Sequence, residues 1–137
     1  MENKSTESTP QRPQGGRIIS APLIEMDLNN FIAQIKQETT WVSSDRNSIT
    51  IFKSEEIRIV LIGLHDHAEL KTHTANGITS VQVLEGQINF TAEQQTITLG
   101  KGQMIVLQEK SPHSIIALKE SFFLLTMAMT ASPATNA

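Results

Sequence analysis

The chain has 137 residues, of which 39% are apolar and 18% charged, a composition that predicts one globular domain with a single hydrophobic core. Its net charge of −3 and its scattered Lys and Arg residues weigh against a nucleic-acid or membrane-surface partner, because both need clustered positive charge. It has no cysteine, so disulfides, thiolate metal sites and thiol nucleophiles are excluded, and any chemistry must come from histidines, carboxylates or hydroxyls.

Both ends of the chain are predicted to be flexible tails. Residues 1–20 and 130–137 are dominated by small and polar side chains, and they bury too little apolar surface to offset the entropy of ordering. A single domain is expected between them, at 21–129. Residues 1–20 contain no apolar leader stretch, and later apolar runs fall far short of the roughly 20 residues that cross a bilayer, so the expected location is the cytoplasm.

One helix is predicted near the start of the domain, at about 28–38. Asp27 is a favourable N-cap residue. The apolar residues that follow recur at the spacing of one helical face, and they are Leu28, Phe31, Ile32 and Ile35. Such a stripe is typical of a helix that covers the core, and Trp41, the only tryptophan, is expected to pack the helix against the rest of the domain.

From residue 48 the apolar pattern changes to a period of two, which predicts a series of short strands. The predicted strands are 48–53, 56–65, 69–74, 78–85, 87–91, 95–99, 103–108, 113–118 and 121–129. Turn-forming residues separate them, among them Asp66-His67, Glu85-Gly86 and Gly100-Lys101-Gly102, which tolerate a positive φ. This spacing predicts an all-β antiparallel sandwich or barrel.

Two segments of this β-rich region carry a resemblance to a known family. The first runs from His73 to Gly86, and the second comprises 100–107 together with Ser111-Pro112-His113. They resemble the two signature segments of the cupin superfamily, and the likeness extends over roughly 57–127. The resemblance implies a double-stranded antiparallel β-barrel, or jelly roll, of the small single-domain type.

In cupins, three histidines and one glutamate from these segments converge on a divalent metal inside the barrel. In this sequence the resemblance places His73 at the first histidine, Ala75 at the second, Thr79 at the glutamate and His113 at the third histidine. The motif's glycines correspond to His67, Gly86 and Gly102, and Gln108, Lys110 and Ala117 replace its proline, second glycine and asparagine. Only His73 and His113 are kept as metal ligands, so the metal motif is degenerate.

Strand alternation extends the candidate site beyond the two histidines. Counting from Thr79 and from His113 places Val81, Ile115 and Ala117 on the barrel-facing side, so the expected pocket is mostly apolar with two imidazoles and one hydroxyl. A carboxylate ligand from Glu69 or Glu85 would require an irregular strand. A simpler interpretation is a pair of interior histidines hydrogen-bonded to each other, to Thr79 or to water.

A second histidine pair, His65 and His67, is predicted to lie in a solvated turn. A metal site there would lack enough convergent ligands. The methionines at 104, 127 and 129 are expected to fill the core rather than bind a metal.

Two functions from different classes are compatible with these residues. The first is a protein that binds a small molecule in the pocket made by His73, Ala75, Thr79, Val81, His113, Ile115 and Ala117, with a weak metal site or none. The second is a metal-dependent cupin enzyme, an oxygenase or isomerase acting on a small organic acid or phenolic compound, with one Fe, Mn, Ni or Zn ion on His73 and His113. A third possibility is a structural or regulatory module that dimerises through an exposed strand edge, and the expected partner is a second copy of the chain, as a homodimer.

Overall fold

The computed structural model describes residues 21–74, 77–108 and 111–129. Both predicted tails, and the turn residues 75–76 and 109–110, lie outside the described residues. The described residues form the helices α1 Leu28–Gln37 and α2 Thr39–Ser43 and the strands β1 Arg46–Lys53, β2 Ile57–Leu64, β3 Glu69–His73, β4 Thr79–Glu85, β5 Gln87–Ala92, β6 Gln95–Gly100, β7 Met104–Leu107, β8 His113–Ala117 and β9 Ser121–Ala128. Every predicted strand is present, with bounds within two residues of those expected.

The strands form two antiparallel sheets that face each other, which confirms the all-β prediction. One sheet has five strands in the order β1-β2-β9-β4-β7, and the other has four in the order β3-β8-β5-β6. Apart from the hairpins β1-β2 and β5-β6, neighbours in these sheets are distant in the sequence, as in a jelly roll, where the chain crosses between the two sheets. The edge strands β6 and β7 border an open seam between the sheets.

The faces that the two sheets turn toward each other carry the main core, here called the inner cluster. Its buried members are Leu64, Ala68, Val81, Val83, Ile88, Phe90, Leu99, Ile115, Ala117 and Phe123. Residues two apart on a strand share a face, so these members identify the inner face of each strand throughout its length. The inner cluster therefore fixes which residues point into the barrel.

The helices lie on the opposite, outer face of the five-stranded sheet and form a second, outer cluster with it. Its buried members are Ile32, Ile35, Trp41, Ile49, Ile51, Leu61 and Phe122. The predicted packing of Trp41 under the helices is thereby confirmed. The apolar stripe of α1 covers one side of the barrel.

The start of α1 matches its prediction, whereas α2 was not predicted. The Asp27 side chain accepts hydrogen bonds from the backbone N–H groups of Asn29 and Asn30, at 3.0 and 3.2 Å. At Glu38 the backbone turns to an extended conformation, and α2 begins at the next residue. A five-residue helix is too short to show a helical period, and its β-branched residues favour strands, so the sequence pattern does not reveal it.

A buried polar group joins the helices to β1. The Asn47 side-chain amide donates to the Ile35 carbonyl at 3.2 Å and to the Glu38 carboxylate at 2.9 Å. Its own carbonyl accepts from the Ser48 backbone N–H at 2.9 Å. The Glu38 carboxylate also accepts from Gln34 at 3.0 Å, so these largely buried polar groups satisfy one another.

The expectation that Met104 and Met129 fill the core was wrong. Met104 is 49% exposed and Met129 is 37% exposed, so neither fills the core. Met104 lies on the outer face of the edge strand β7, which the helices do not reach.

Within the described residues, no helix has the length and apolarity needed to cross a membrane. The homodimer and the cytoplasmic location stay predictions, and light scattering of the purified protein measures the first.

Candidate functional site

Thr79 and His113 lie on the inner face at one end of the barrel, here called the site end. Each shares its face with a member of the inner cluster two residues along, Val81 and Ile115 respectively. Both side chains are almost fully buried, with 2% and 3% of their surface exposed. The Thr79 hydroxyl donates to the Gly77 carbonyl at 3.3 Å.

His113 is held by an aromatic contact and a backbone contact. Its ring stacks against Phe90 with 5.5 Å between centroids and 13° between ring planes. Its Nδ1 lies 3.1 Å from the Ser111 carbonyl oxygen. A carbonyl oxygen can only accept, so Nδ1 carries the proton in this contact, and the neutral imidazole has its lone pair on Nε2. These two contacts fix the orientation of the His113 ring.

His73 is brought next to His113 by the pairing of β3 with β8. The two residues are direct register partners, and a shift of register lies between Leu70 and His73. The backbone thus places the two predicted histidines side by side on neighbouring strands, whereas Ala75 lies outside the described residues.

Three of the predicted pocket residues lie deeper than the site end. Val81, Ile115 and Ala117 are members of the inner cluster and are at most 2% exposed. They face the barrel as expected from alternation, but they are packed among other apolar side chains. Neither of the two cavities described below is lined by them.

Two cavities open near His113 and share Ala92 and Glu93 in their walls. The first, about 300 Å³, contacts His113 itself and is otherwise lined by Thr72, Thr91, Ala92, Glu93, Gln94, Pro112 and Ser114. The second, about 250 Å³, lies at the seam between β6 and β7 and is lined by Phe90, Ala92, Glu93, Gln95, Ile97, Ile105, Val106 and Leu107. Apolar surface exceeds polar surface in both, and the second is here called the seam cavity.

The seam cavity is next to the site end, as the strand pairing shows. Its wall residue Leu107 is the register partner of Thr79, and its wall residue Ala92 is the register partner of His113. Directly opposed residues share a face and have Cβ atoms about 5 Å apart. The cavity therefore adjoins the two buried polar side chains of the candidate site.

Comparison with known proteins yields structural matches alone. No family model matches the sequence, and no curated protein matches it. An RmlC-like cupin from Desulfovibrio desulfuricans is 26% identical, with a TM-score of 0.57 over 61% of this chain and 82% of that one. A cupin-2 domain protein from Shewanella frigidimarina is 19% identical, with a TM-score of 0.61 over 75% of this chain and 93% of that one.

The chain folds as a cupin domain. This confirms the resemblance that His73, Gly86, Gly102 and His113 suggested. Similar structures include an enzyme: salicylate 1,2-dioxygenase from Pseudaminobacter salicylatoxidans is 22% identical, with a TM-score of 0.58 over 63% of this chain and 27% of that chain. At this identity the likeness extends to the cupin fold alone.

The residues of this cupin do not fit the family's metal set of three histidines and a glutamate. Thr79 stands where the glutamate would be, and its hydroxyl is already a donor to Gly77. Glu69 and Glu85 are both exposed, so neither supplies a carboxylate inside the barrel despite the irregular pairing of their strands. In the part of the chain that the structure describes, no three His, Asp or Glu residues are grouped to hold a metal ion.

Elemental analysis of the purified protein, made without a histidine tag, should find well under one equivalent of Fe, Mn, Ni or Zn after dialysis. The physical reason is that two imidazoles leave a transition metal dependent on water for its other positions, and that weak sites lose their ion on dilution. The matched comparison is His113→Ala, which should hold as little metal as the wild type. A full equivalent that His113→Ala loses would contradict this expectation.

The turn that contains the second histidine pair is only partly solvated. His65 stacks on Trp41 with 3.6 Å between ring centroids, and its Nε2 lies 2.8 Å from the Trp41 carbonyl oxygen. His67 is exposed, has a φ of +72°, and pairs with Asp66 at 2.8 Å. The positive φ at the position of the family's glycine is confirmed, but His65 belongs to the packing of the helices.

Sequence reasoning missed Arg58 and the turn at Glu93-Gln94. Arg58 lies within the apolar strand β2, and counting from Val60 would have placed it on the inner face. Glu93 and Gln94 both have positive φ, +52° and +63°, in the tight turn that borders both cavities. Glu and Gln are uncommon in such turns, where Asn and Gly are preferred, so no sequence signal marks it.

Proposed function

We propose that this cupin domain binds a small, partly apolar molecule at the site end, which the ligand reaches through the seam cavity. The observation that carries the proposal is the position of that cavity of about 250 Å³: its walls Ala92 and Leu107 are paired directly with His113 and Thr79. The walls are mainly apolar and include one aromatic ring, and Glu93 and Gln95 are their polar members. Pockets with this composition are typical of small-molecule sites.

The polar groups support one or two hydrogen bonds to such a molecule. His113 contributes a buried imidazole whose ring is held by Phe90 and by the Ser111 carbonyl oxygen. The Thr79 hydroxyl has acceptor lone pairs left while its proton is donated to Gly77. His73, which is paired with His113 along the backbone, is proposed as a further contact. The ligand therefore needs a donor or acceptor at one end and an apolar body.

Benzamide and benzoate serve as probes because they share size and shape and carry a polar end on an apolar ring. In methyl-labelled protein, either probe should shift the methyl resonances of Ala92, Ile97, Ile105 and Leu107, which line the seam cavity. The methyl groups of Leu61 lie in the outer cluster and should not move. The measurement is a nuclear magnetic resonance titration.

Ile97→Trp should abolish these shifts, because the indole would fill the cavity that Ile97 borders. Ile116→Trp is the matched control: Ile116 is on the same sheet and is 39% exposed, against 37% for Ile97, but it lies on the opposite face. Equal binding by the wild type and Ile97→Trp would contradict the proposed route, and shifts confined to Leu61 would contradict the proposed site.

A further inference from the structure

Arg58 lies on the inner face of the five-stranded sheet, at the site end of β2. Its neighbour Ile59 packs against the outer cluster, so Arg58 and Val60 lie on the barrel side of the strand. Arg58 is the register partner of Met127, and Met127 is also the register partner of Thr79. Arg58, Met127, Thr79 and Leu107 therefore form one row across four strands on the inner face.

One N–H donor of the Arg58 guanidinium lacks a hydrogen-bond acceptor among the described residues. Its Nε is buried and has no hydrogen-bond partner in the described structure. An arginine side chain stays charged at any physiological pH, and a buried donor without a partner destabilises a fold. A buried donor without a partner in a native fold requires an explanation, and a ligand that supplies the acceptor is one.

Lys53 adds a second positive charge beside it. Lys53 and Arg58 are direct register partners on β1 and β2, and like charges that face each other across a strand pair repel. Glu55 and Glu56 lie in the exposed turn between these strands. Among the described residues, no ion pair involves either cation or either of these acids. The repulsion is therefore uncompensated within the described chain.

We propose that Arg58, supported by Lys53, binds the carboxylate of a small organic acid whose apolar body lies over Met127 toward Leu107. This inference deepens and rests on the proposed function, because it names the chemical class of the ligand at the same end of the barrel. The planar guanidinium matches a carboxylate with two parallel hydrogen bonds. Adjacent strands are about 4.8 Å apart, so the row from Arg58 to Leu107 spans about 14 Å, enough for a carboxylate and a short body.

The comparison of benzoate with benzamide tests the charge, because the two probes differ in the carboxylate alone. In the wild type, benzoate should bind at least about tenfold more tightly than benzamide by titration calorimetry, since a charge-assisted bidentate pair replaces a neutral contact. In Arg58→Met the preference for benzoate over benzamide should be lost, so that the two probes bind equally. Lys53→Met should reduce the preference without removing it.

Stability gives a second readout that separates a ligand-binding arginine from a structural one. Arg58→Met keeps the length of the side chain and removes an unpaired buried donor and a like-charge pair, so it should raise the thermal midpoint of the ligand-free protein by a few degrees. Arg46→Met is the matched control, because it removes the same charge from β1. Arg46 donates to the Asp45 carboxylate at 2.8 Å and to the Glu69 carbonyl at 2.7 Å, and its hydrogen bond holds the pKa of Asp45 below the usual range. It should leave benzoate binding unchanged and should not raise the midpoint.

The outcomes keep the two proposals apart. If both probes bind at the site end with equal affinity and Arg58→Met changes neither, the proposed function stands and the role of Arg58 is wrong. A lower thermal midpoint in Arg58→Met would also overturn that role, since it would make the guanidinium a stabilising part of the fold. If neither probe binds the wild type, the proposed function itself fails.

Discussion

Replacing Gly86 by alanine should lower the free energy of unfolding by about 4 kcal/mol or more, which is at the upper end for a single substitution. Gly86 has a φ of +91°, which a residue with a side chain rarely adopts. An added Cβ would also collide with the Ser121 hydroxyl and the Glu120 carbonyl oxygen, and it would lie 2.7 Å from the Ser121 Cα. Two of these three atoms belong to the backbone, so rotation of a side chain cannot relieve the collision.

Ser121 is itself held in place by hydrogen bonds, so the collision cannot be relieved by moving it and lowers the stability strongly. Its hydroxyl accepts from the Gln87 backbone N–H at 2.9 Å and shares its proton with the carbonyl oxygens of Gln87 and Lys119, at 3.0 and 2.7 Å. These bonds join the start of β5 to the start of β9 across the two sheets. Displacing Ser121 would therefore break the connection between the sheets as well as strain the turn.

Gly102→Ala is the matched control for the backbone alone. Gly102 has a similar φ of +85°, but an added Cβ would meet nothing within 4 Å. This substitution should cost about 1 kcal/mol, the strain of a left-handed conformation without a collision. Urea unfolding of the three proteins measures the difference, and equal losses for the two variants would show that the contacts at Ser121 do not matter.

These two glycines also show how much of the fold the sequence encodes. Both were predicted as turn residues that tolerate a positive φ, and both adopt one, as does His67 with +72°. Between the turns, the period of two in the apolar residues defines the strands, because a strand with one buried face must alternate apolar and polar side chains. Turn chemistry and periodicity are local, so a single sequence reveals them.

Features that depend on packing were missed. The Glu93-Gln94 turn adopts positive φ at both residues although neither type favours it, and α2 is too short to leave a period. Both are imposed by the strands or helices on either side. A local pattern cannot show such a conformation, because the surrounding structure supplies the free energy that holds it.

For the candidate site, the sequence predicts which residues face the barrel interior, but not which of them border a cavity and which lie in the packed core. Alternation from Thr79 and His113 correctly assigns Val81 and Ile115 to the barrel side. Whether a residue on that face borders a cavity or lies in the core depends on what the opposite sheet places over it, and that is a property of the assembled barrel. The same alternation assigns Arg58 to the barrel side of β2, where a charged residue within an apolar run is unusual.

Phe122→Ala should cost about 3–5 kcal/mol, because it removes the largest fully buried side chain of the outer cluster. Phe122 is fully buried, its ring centroid lies 5.4 Å from that of Trp41, and the Lys36 ammonium lies 5.2 Å above the ring. Trp41 is the only tryptophan, so its fluorescence during urea unfolding reports the loosening of the helices. The control Val42→Ala, at a side chain 82% exposed on α2, should change stability by no more than about 0.5 kcal/mol.

A double-mutant cycle with Gly63 decides whether Phe122 acts through this packing. An added Cβ at Gly63 would lie 2.5 Å from the Phe122 ring and 3.1 Å from the Trp41 ring, so Gly63→Ala should be costly in the wild type and much less so once the ring is gone. The coupling should be about 1 kcal/mol or more. Additive losses would contradict the packing argument. Because Phe122 lies on the outer face, benzamide binding at the site end should survive at temperatures where the variant stays folded, which would separate the stability of the helices from the function of the barrel.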